Sequence, residues 1–116
     1  MLRVDLASGV VSRSRMARQT LPPPMAWLAD GGTWPDGPFR PDVPDHVVAA
    51  GMFVSRVHAA REAAGLSING LAAHTGLDKG TMSKVLAGKH LPDFRTIFLL
   101  EQALNTPLWV SGNLTR

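Results

Sequence analysis

The sequence predicts an all-α, five-helix-like fold with an extended proline-rich N-terminal segment. Apolar residues in the second half recur at helical spacing, between polar residues that begin helices and glycines that end them. Residues 21–45 hold seven of the nine prolines, too many for a regular helix and unfavourable for a strand. The chain of 116 residues is long enough for one hydrophobic core but not for two independent ones.

The composition limits the class of function. The chain is 45% hydrophobic, with a formal net charge of +3 and a pI near 10.2, and this mild basic excess suits a nucleic-acid-binding protein. Cysteine is absent, which excludes disulfide bonds, thiolate metal sites and cysteine nucleophiles. The apolar run at 47–54 is too short to span a membrane, and the N-terminus lacks the hydrophobic core of a signal peptide. We therefore expect a cytoplasmic protein that binds no membrane.

Neither a catalytic site nor a metal site is indicated. The histidines are scattered and lack the spacing of paired metal ligands. No nucleophile elbow or glycine-rich phosphate loop accompanies them. We expect no enzymatic activity, no metal and no cofactor. The histidines are His46, His58, His74 and His90.

The first twenty residues are small and basic, without a clear period. One interpretation is an arm that neutralises phosphates or follows a minor groove of DNA. The alternatives are a disordered tail, or an extension upstream of a later start at Met16 or Met25. The charged residues of this segment are Arg3, Asp5, Arg13, Arg15 and Arg18.

The proline-rich segment, called the strap here (residues 21–44), carries large apolar side chains that a solvated linker seldom needs. Residues 25–29 within it are expected to form one or two helical turns. The favoured interpretation is that the aromatic side chains pack on the helical domain as an ordered strap. The alternative is that they bind a partner, including a second subunit. The side chains concerned are Trp27, Leu28, Trp34 and Phe39.

A long helix is predicted to follow the strap. Pro44 and Asp45 suit its first turn, because proline fits a helix start and an acid complements the helix dipole. The helix is expected to run to about Ala64, with Gly51 marking a kink or a break. Its buried stripe at helical spacing comprises Val47, Ala50, Val54, Val57, Ala60 and Ala64.

Three shorter helices follow, each with a good capping residue. Ser67, Asp78 and Asp93 are the predicted N-caps. Gly76 allows the positive φ of a tight corner between the first two of these helices, and Gly88 ends the second. Two short helices joined by a three-residue turn that contains glycine form the helix-turn-helix layout, in which the second helix enters a DNA major groove.

An ordered set of residues between about 53 and 109 matches a known family. It comprises Val57, Arg61, Gly65-Leu66-Ser67, Leu71-Ala72, Gly76-Leu77, Thr81-Met82-Ser83-Lys84-Val85, Gly88-Lys89, Pro92, Leu100 to Leu104 and Pro107-Leu108. The segment resembles the phage-repressor-like (Cro or Xre type) helix-turn-helix family. The resemblance implies a lambda-repressor-type domain whose recognition helix is 78–87. Family members commonly continue into a fifth helix, which we expect here to be truncated after Leu108 or replaced by the strap.

The resemblance implies that the exposed face of the third helix reads DNA. It places Lys79, Gly80, Ser83 and Lys84 at base edges, and Thr81 near the DNA backbone. Lysine donates to guanine O6 and N7, serine contacts either kind of edge, and glycine lets the helix approach closely. The chain departs from the family in having no Gln, Asn or Arg on this face for a bidentate contact. Sequence discrimination is therefore expected to be lower, or to depend on DNA shape and water.

Phosphate contacts are expected from the ends of the helices. The start of the second helix offers backbone N–H groups and the positive end of the helix dipole. The family often has Gln where Ile68 stands, so the backbone is expected to serve there. Further donors lie in and just after the loop that follows the third helix. The predicted phosphate contacts are Ser67, Asn69, Thr81, Lys89, His90 and Arg95.

Arg61 matches a position where the family often holds an arginine paired with an acid at the end of the third helix. That end is Leu86-Ala87 in this chain, so the usual partner is missing. We expect Arg61 to pair with another carboxylate, of which Glu101 is a candidate, to bind phosphate, or to remain solvated.

Together these patterns predict a sequence-specific regulator of transcription, most simply a repressor, that binds a double-stranded DNA operator as a homodimer. Residues 1–44 are expected to form the basic arm and the strap, and residues 45–116 the DNA-binding domain. The alternative is an antitoxin-type regulator or a protein-interaction module that binds a protein partner through Trp27, Trp34 and Phe39. Steep salt dependence of DNA binding separates the two, because neutralised phosphates release counterions.

Overall fold

The computed structural model describes residues 21–109, which contain a 3₁₀ helix, a β-hairpin and four α-helices. The predicted basic arm, with Arg3, Arg13, Arg15 and Arg18, and the residues from Val110 onward lie outside the described residues. In chain order the elements are the 3₁₀ helix η1 (Pro24–Trp27), β1 (Leu28–Thr33), β2 (Gly37–Phe39), α1 (Asp45–Ala63), α2 (Ile68–Thr75), α3 (Lys79–Leu86) and α4 (Phe94–Leu104).

The predicted capping residues begin the three short helices. Side-chain oxygens of Ser67, Asp78 and Asp93 accept backbone N–H groups at the starts of α2, α3 and α4. Each cap satisfies an N–H group that a helix N-terminus would otherwise leave unpaired. The donors are the N–H groups of Gly70, Thr81 and Thr96, at 2.9, 3.0 and 2.8 Å.

The main hydrophobic core is built from all four α-helices and the segment after α4. Phe53 of α1 is fully buried, and its ring lies 5.6 Å from the Trp109 ring. Burial of these side chains is the main favourable contribution to folding of a domain this small. The buried residues of this main core are Phe53, Val54, Val57, Leu71, Ala72, Leu77, Met82, Val85, Leu86, Leu100 and Leu108.

The strap contains a β-hairpin, so the prediction of a purely all-α fold was wrong. β1 and β2 pair in antiparallel fashion, with Leu28 opposite Phe39 and Thr33 opposite Gly37 and an irregularity between the two pairs. In a two-stranded sheet each strand has a free outer edge, where a proline such as Pro38 removes no ladder hydrogen bond. The density of prolines therefore did not prevent strands. Helical structure expected over residues 25–29 is limited to η1.

A second hydrophobic cluster joins the strap to α1. Its buried residues are Val43, Val47 and Val48, and the aromatic side chains of the strap pack against it. Trp34 contacts both this cluster and the main core. The favoured interpretation of the strap, an ordered segment packed on the helices, is confirmed for residues 21–44.

Gly51 does not break α1, which runs from Asp45 to Ala63, so the prediction of a break was wrong. The glycine instead allows close packing. A Cβ at this position would lie 2.7 Å from the Pro35 carbonyl oxygen and 3.3 Å from the Phe39 ring. Because both neighbours belong to the hairpin, the absent side chain is what lets the hairpin rest on the helix.

The prediction of five helices was wrong for the described residues, which hold four α-helices. Asn105 ends α4 with a φ of 53°, in the left-handed region that asparagine tolerates. The chain then turns back, and Leu108 inserts into the main core with 1% of its surface exposed. Leu108 thus adds to the core directly after α4, without a further helix in the described residues.

Arg61 does not pair with Glu101. Its Nη1 donates to the Leu66 carbonyl oxygen at 3.0 Å, and its Nε donates to His58 Nδ1 at 3.2 Å. A longer ion pair of 3.8 Å joins Arg61 to Glu62. The arginine therefore fastens the turn between α1 and α2, and the carboxylate predicted as its partner has another role.

Candidate nucleic-acid interface

The corner between α2 and α3 is fixed by a glycine and a hydroxyl group. Gly76 has a φ of 77° and ends α2. The Thr75 hydroxyl donates to the Ala72 carbonyl oxygen at 3.0 Å and accepts the Leu77 N–H at 3.1 Å. Leu77 is buried in the main core, which anchors the middle of the turn. The two helices are therefore held in a defined relative orientation.

The two faces of α3 differ sharply. Met82, Val85 and Leu86 are buried in the main core. The remaining residues of the helix are exposed, and they include all four predicted base contacts. At Gly80 an added Cβ would meet only the Asp78 carboxylate, at 3.0 Å, so the backbone itself is open on this side. The exposed face comprises Lys79, Gly80, Thr81, Ser83 and Lys84.

The predicted phosphate contacts are also exposed, although two of their hydroxyl groups already have partners. The Ser67 oxygen accepts a backbone N–H, which leaves its own proton available to a phosphate. The Thr81 hydroxyl lies 3.4 Å from the Asp78 carboxylate, so a phosphate contact would replace that interaction. The six exposed residues are Ser67, Asn69, Thr81, Lys89, His90 and Arg95.

The C-terminus of α3 ends in a compact hydrogen-bonded turn. The Gly88 N–H donates to the Val85 carbonyl oxygen at 3.2 Å, and the Lys89 N–H donates to the Lys84 carbonyl oxygen at 3.0 Å. The His90 N–H also reaches the Lys84 oxygen, at 3.3 Å. The first two of these hydrogen bonds, together with the φ of 78° at Gly88, form the Schellman motif. It places Lys89 and His90 directly after α3.

The segment from residue 79 to residue 92 is positively charged. All three lysines of the protein lie between residues 79 and 89, and residues 79–92 include no acidic residue. The flanking acids, Asp78 and Asp93, act as helix caps. The backbone N–H and side chain of Thr96 lower the pKa of Asp93 below its usual value, because both stabilise the charged form. The region offers ammonium and hydroxyl donors suited to phosphate and base edges.

The sequence analysis did not identify the contact between the strap and the end of α3. The Trp34 ring lies against Gly88, where an added Cβ would be 2.7 Å from Cδ2. The Met25 N–H donates to the Gly88 carbonyl oxygen at 2.9 Å. No local motif marks this pairing, because it joins segments about fifty positions apart. The only signal was that large aromatics stood in a proline-rich segment.

The strap aromatics are engaged within the protein. The Trp34 and Phe39 rings meet edge to face, with centroids 6.1 Å apart. The Arg40 guanidinium lies 4.9 Å from the centre of the Trp27 ring, a cation–π contact. All three rings are half-buried. A partner could contact only the exposed parts of these rings without displacing them from α1.

Two findings bear on other functions. Among residues 21–109, no group of three or more His, Asp or Glu side chains is arranged to hold a metal ion. In the same range, no helix combines the length and the apolar composition needed to cross a membrane.

Comparison with known proteins identifies the same segment. The family model for the helix-turn-helix domain matches residues 53–108. A similar solved structure is that of the restriction-modification controller protein C.AhdI from Aeromonas hydrophila. The two sequences are 30% identical, and the match covers 51% of this chain and 89% of that chain, with a TM-score of 0.46. No curated protein gives a significant match. The match of the family model to residues 53–108 confirms the resemblance inferred from the sequence.

Proposed function

The chain belongs to the helix-turn-helix family, and from this premise we propose that it is a sequence-specific regulator of transcription, acting as a repressor on double-stranded DNA. The observation that carries the proposal is the two-sided character of α3. Its inner face is locked into the main core, and its outer face presents lysines, a serine and a bare glycine backbone to solvent. A rigid helix with such an outer face fits a major groove.

The proposal divides the contacts into two groups. Lys79, Gly80, Ser83 and Lys84 would meet base edges, since they share the exposed face of the helix that enters the groove. The second group would meet phosphates on either side of that groove, with the α2 N-terminus adding backbone N–H groups. This second group comprises Ser67, Asn69, Thr81, Lys89, His90 and Arg95.

A homodimer on a two-fold operator is part of the proposal. One short helix reads only a few base pairs, so useful discrimination needs a second copy one helical turn away. The surface of α4 supports association: Phe94 is 81% exposed and Phe98 51%, and their rings stack with centroids 6.4 Å apart. Apolar side chains clustered in this way on a small protein are typical of an interface.

For the organisation of the chain, we propose that residues 45–116 bind the DNA and that residues 1–44 support or extend this domain. The structure of the strap supports this division, since its hairpin packs against α1 and the end of α3. We expect the protein to act in the cytoplasm, without a cofactor and without catalysis.

A second candidate function is the recognition of a protein, as in an antitoxin-type regulator or a protein-interaction module. A cleft of about 710 Å³ between the hairpin and α1 favours it, since apolar side chains such as Phe39, Val43 and Met52 line it. The cleft contains none of the predicted DNA contacts. DNA binding that is absent or insensitive to salt would favour this candidate.

The test is a selection from random duplexes with the purified full-length chain, followed by anisotropy titrations at two salt concentrations. Enrichment of an inverted repeat that binds with steep salt dependence supports the proposal. The double variant Lys79→Ala/Lys84→Ala should lose preference for the selected sequence. Arg56→Gln is the control, because it removes one exposed positive charge on α1, outside α2 and α3, and keeps an amide donor on the side that contacts the Leu108 carbonyl oxygen. Equal binding of the selected and scrambled duplexes by the native protein would refute sequence-specific regulation.

A further inference from the structure

The strap meets the end of α3 at Gly88. Gly88 is buried, although it lies between exposed residues of a loop. The indole of Trp34 covers it so closely that an added Cβ would lie 2.7 to 2.9 Å from three ring atoms. On its carbonyl side, Gly88 accepts the Met25 N–H at 2.9 Å. Two separate parts of the strap therefore hold one residue at the end of α3.

We propose that Trp34 is a positioning residue for DNA binding, which fixes the loop after α3 so that Lys89 and His90 face the phosphate backbone. The inference rests on the proposed function. It assigns to the strap a contribution to DNA affinity that is separate from the contacts of the helix-turn-helix.

Gly88 is directly connected to Lys89 and His90, the two side chains that would donate to phosphates. Lys89 and His90 follow Gly88 directly, and their N–H groups both donate to the Lys84 carbonyl oxygen. Their side chains are exposed. Because the backbone at all three residues is restrained by the same turn, movement of Gly88 would move both side chains relative to α3.

Trp34 is itself held in place by several contacts. Its ring contacts the main core and the second cluster, and its edge meets the Phe39 ring. The Gly51 contact with Pro35, the next residue, seats the hairpin turn on α1. Trp34 thus links the position of α1 to the end of α3, where the Met25 hydrogen bond and the Schellman turn also hold Gly88.

Restraint of the loop after α3 affects the free energy of DNA binding. A flexible loop pays conformational entropy when it becomes ordered on a phosphate, whereas a loop already held in place does not. Lysine contacts with phosphate also raise the salt dependence of binding by about one unit of slope per neutralised charge. Loosening the loop should therefore weaken binding to all DNA sequences and reduce this slope.

Trp34→Phe is a mild test of the ring. The Trp34 Nε1–H is buried without a hydrogen-bond partner among the described residues, so phenylalanine forfeits no hydrogen bond. The change keeps an aromatic ring but reduces both the area that covers Gly88 and the packing on the two hydrophobic clusters. Trp34→Ala removes the ring altogether. Trp27 offers a matched control, because it is a half-buried tryptophan of the same strap that packs on the second cluster.

The experiment measures DNA affinity of the full chain at several salt concentrations for the native protein, Trp34→Phe, Trp34→Ala and Trp27→Phe. Circular dichroism first establishes which variants fold. If Trp34→Ala does not fold, the test rests on Trp34→Phe alone. We expect Trp34→Ala to bind both selected and scrambled DNA about three- to tenfold more weakly at physiological salt, with a slope lower by about one. Trp34→Phe should be intermediate, and Trp27→Phe should keep the native slope.

A double-mutant cycle separates positioning from a general loss of stability. In a Lys89→Ala/His90→Ala background the Trp34 changes should have little further effect on the slope, because the groups they position are gone. Amide exchange at residues 88–90 should accelerate in Trp34→Phe more than in Trp27→Phe. A native slope in folded Trp34 variants, or full additivity in the cycle, would overturn the inference and leave the proposed function intact. Absence of salt-sensitive binding by the native protein would overturn both.

Discussion

The Glu101 carboxylate holds Leu108 in place after the end of α4. One oxygen, Oε2, accepts the Leu108 N–H at 2.7 Å and the Trp109 N–H at 3.0 Å. These backbone N–H groups, Trp109 first, lower the pKa of Glu101 below its usual value of 4.5, because they stabilise the charged form. The side chain of Leu108 can then fill the main core, and the ring of Trp109 can pack against Phe53.

Replacing Glu101 with alanine should destabilise the protein. The change leaves two N–H groups without their acceptor and loosens the segment that carries Leu108, at a cost of about 1–2 kcal/mol. Urea denaturation measures the free energy of unfolding. Gln102→Ala is the matched control, because that side chain is exposed on the neighbouring position of the same helix. Equal stability of the two variants would show that the Glu101 hydrogen bonds contribute nothing.

Stability should also fall when His58 is forced to take up a proton. Burial, followed by the nearby positive charge of Arg61, lowers the pKa of His58 from its usual 6.5. Its Nδ1 accepts the Arg61 Nε–H, which a protonated ring could not do. Since the unfolded chain binds the proton more readily, the free energy of unfolding should decrease as pH falls through 6.5 and below.

Denaturation midpoints measured between pH 7.5 and 5 test this dependence. The native protein and His46→Gln, a change at an exposed histidine of α1, should both lose stability across the range. His58→Gln should flatten the curve. An unchanged slope in that variant would assign the dependence to other groups.

Gly51→Ala should destabilise the protein even though alanine favours helices. The gain from helix propensity is roughly 1 kcal/mol at most. The added Cβ would meet the Pro35 carbonyl oxygen at 2.7 Å, and because this neighbour is backbone, the hairpin must shift. Overpacking of this kind typically costs about 1–3 kcal/mol. Thermal unfolding should show a lower midpoint, and a higher one would mean that the hairpin does not rest on α1.

Local signals explain which parts of this fold were predictable. The caps Ser67, Asp78 and Asp93 bond to residues three positions away, so the sequence marks each helix start directly. The corner at Gly76 is equally local. The exposure of the four predicted base-contact residues follows from helical period, because Met82 and Val85 require the opposite face for the core.

Contacts that no local sequence pattern marks explain the errors. Nothing near Gly51 indicates that the hairpin packs there, so a glycine inside a helix was taken to mark a kink or a break. Arg61 found a carbonyl oxygen and a histidine rather than Glu101, since the acid was already used by Leu108 and Trp109. The aromatic residues of the strap indicated packing on the helices, but nothing in residues 28–39 marks the strand pairing among the prolines.

Lys84→Ala and Lys89→Ala should affect DNA binding in different ways. Lys84 lies on the exposed face of α3, so its loss should relax preference at one base position at a cost of about 1–3 kcal/mol. Lys89 lies in the loop after the helix, so its loss should weaken all sequences similarly and lower the salt slope by about one. Each removes one lysine, which makes them mutual controls. Indistinguishable effects on selected and scrambled duplexes would contradict this division of contacts.

The double variant Phe94→Ser/Phe98→Ser should shift the proposed homodimer towards monomer. Both rings are largely exposed one turn apart on α4, and Leu91, 47% exposed, precedes them in the same part of the chain. Removing two large apolar side chains from an interface should weaken self-association at least tenfold. Sedimentation velocity over a concentration series measures this. Leu21→Ser, which removes an apolar side chain 77% exposed in the strap, is the control. If the Phe94→Ser/Phe98→Ser variant keeps the native association constant, the dimer forms through another surface. In that case the affinity of the variant for a DNA half-site should also equal that of the native protein.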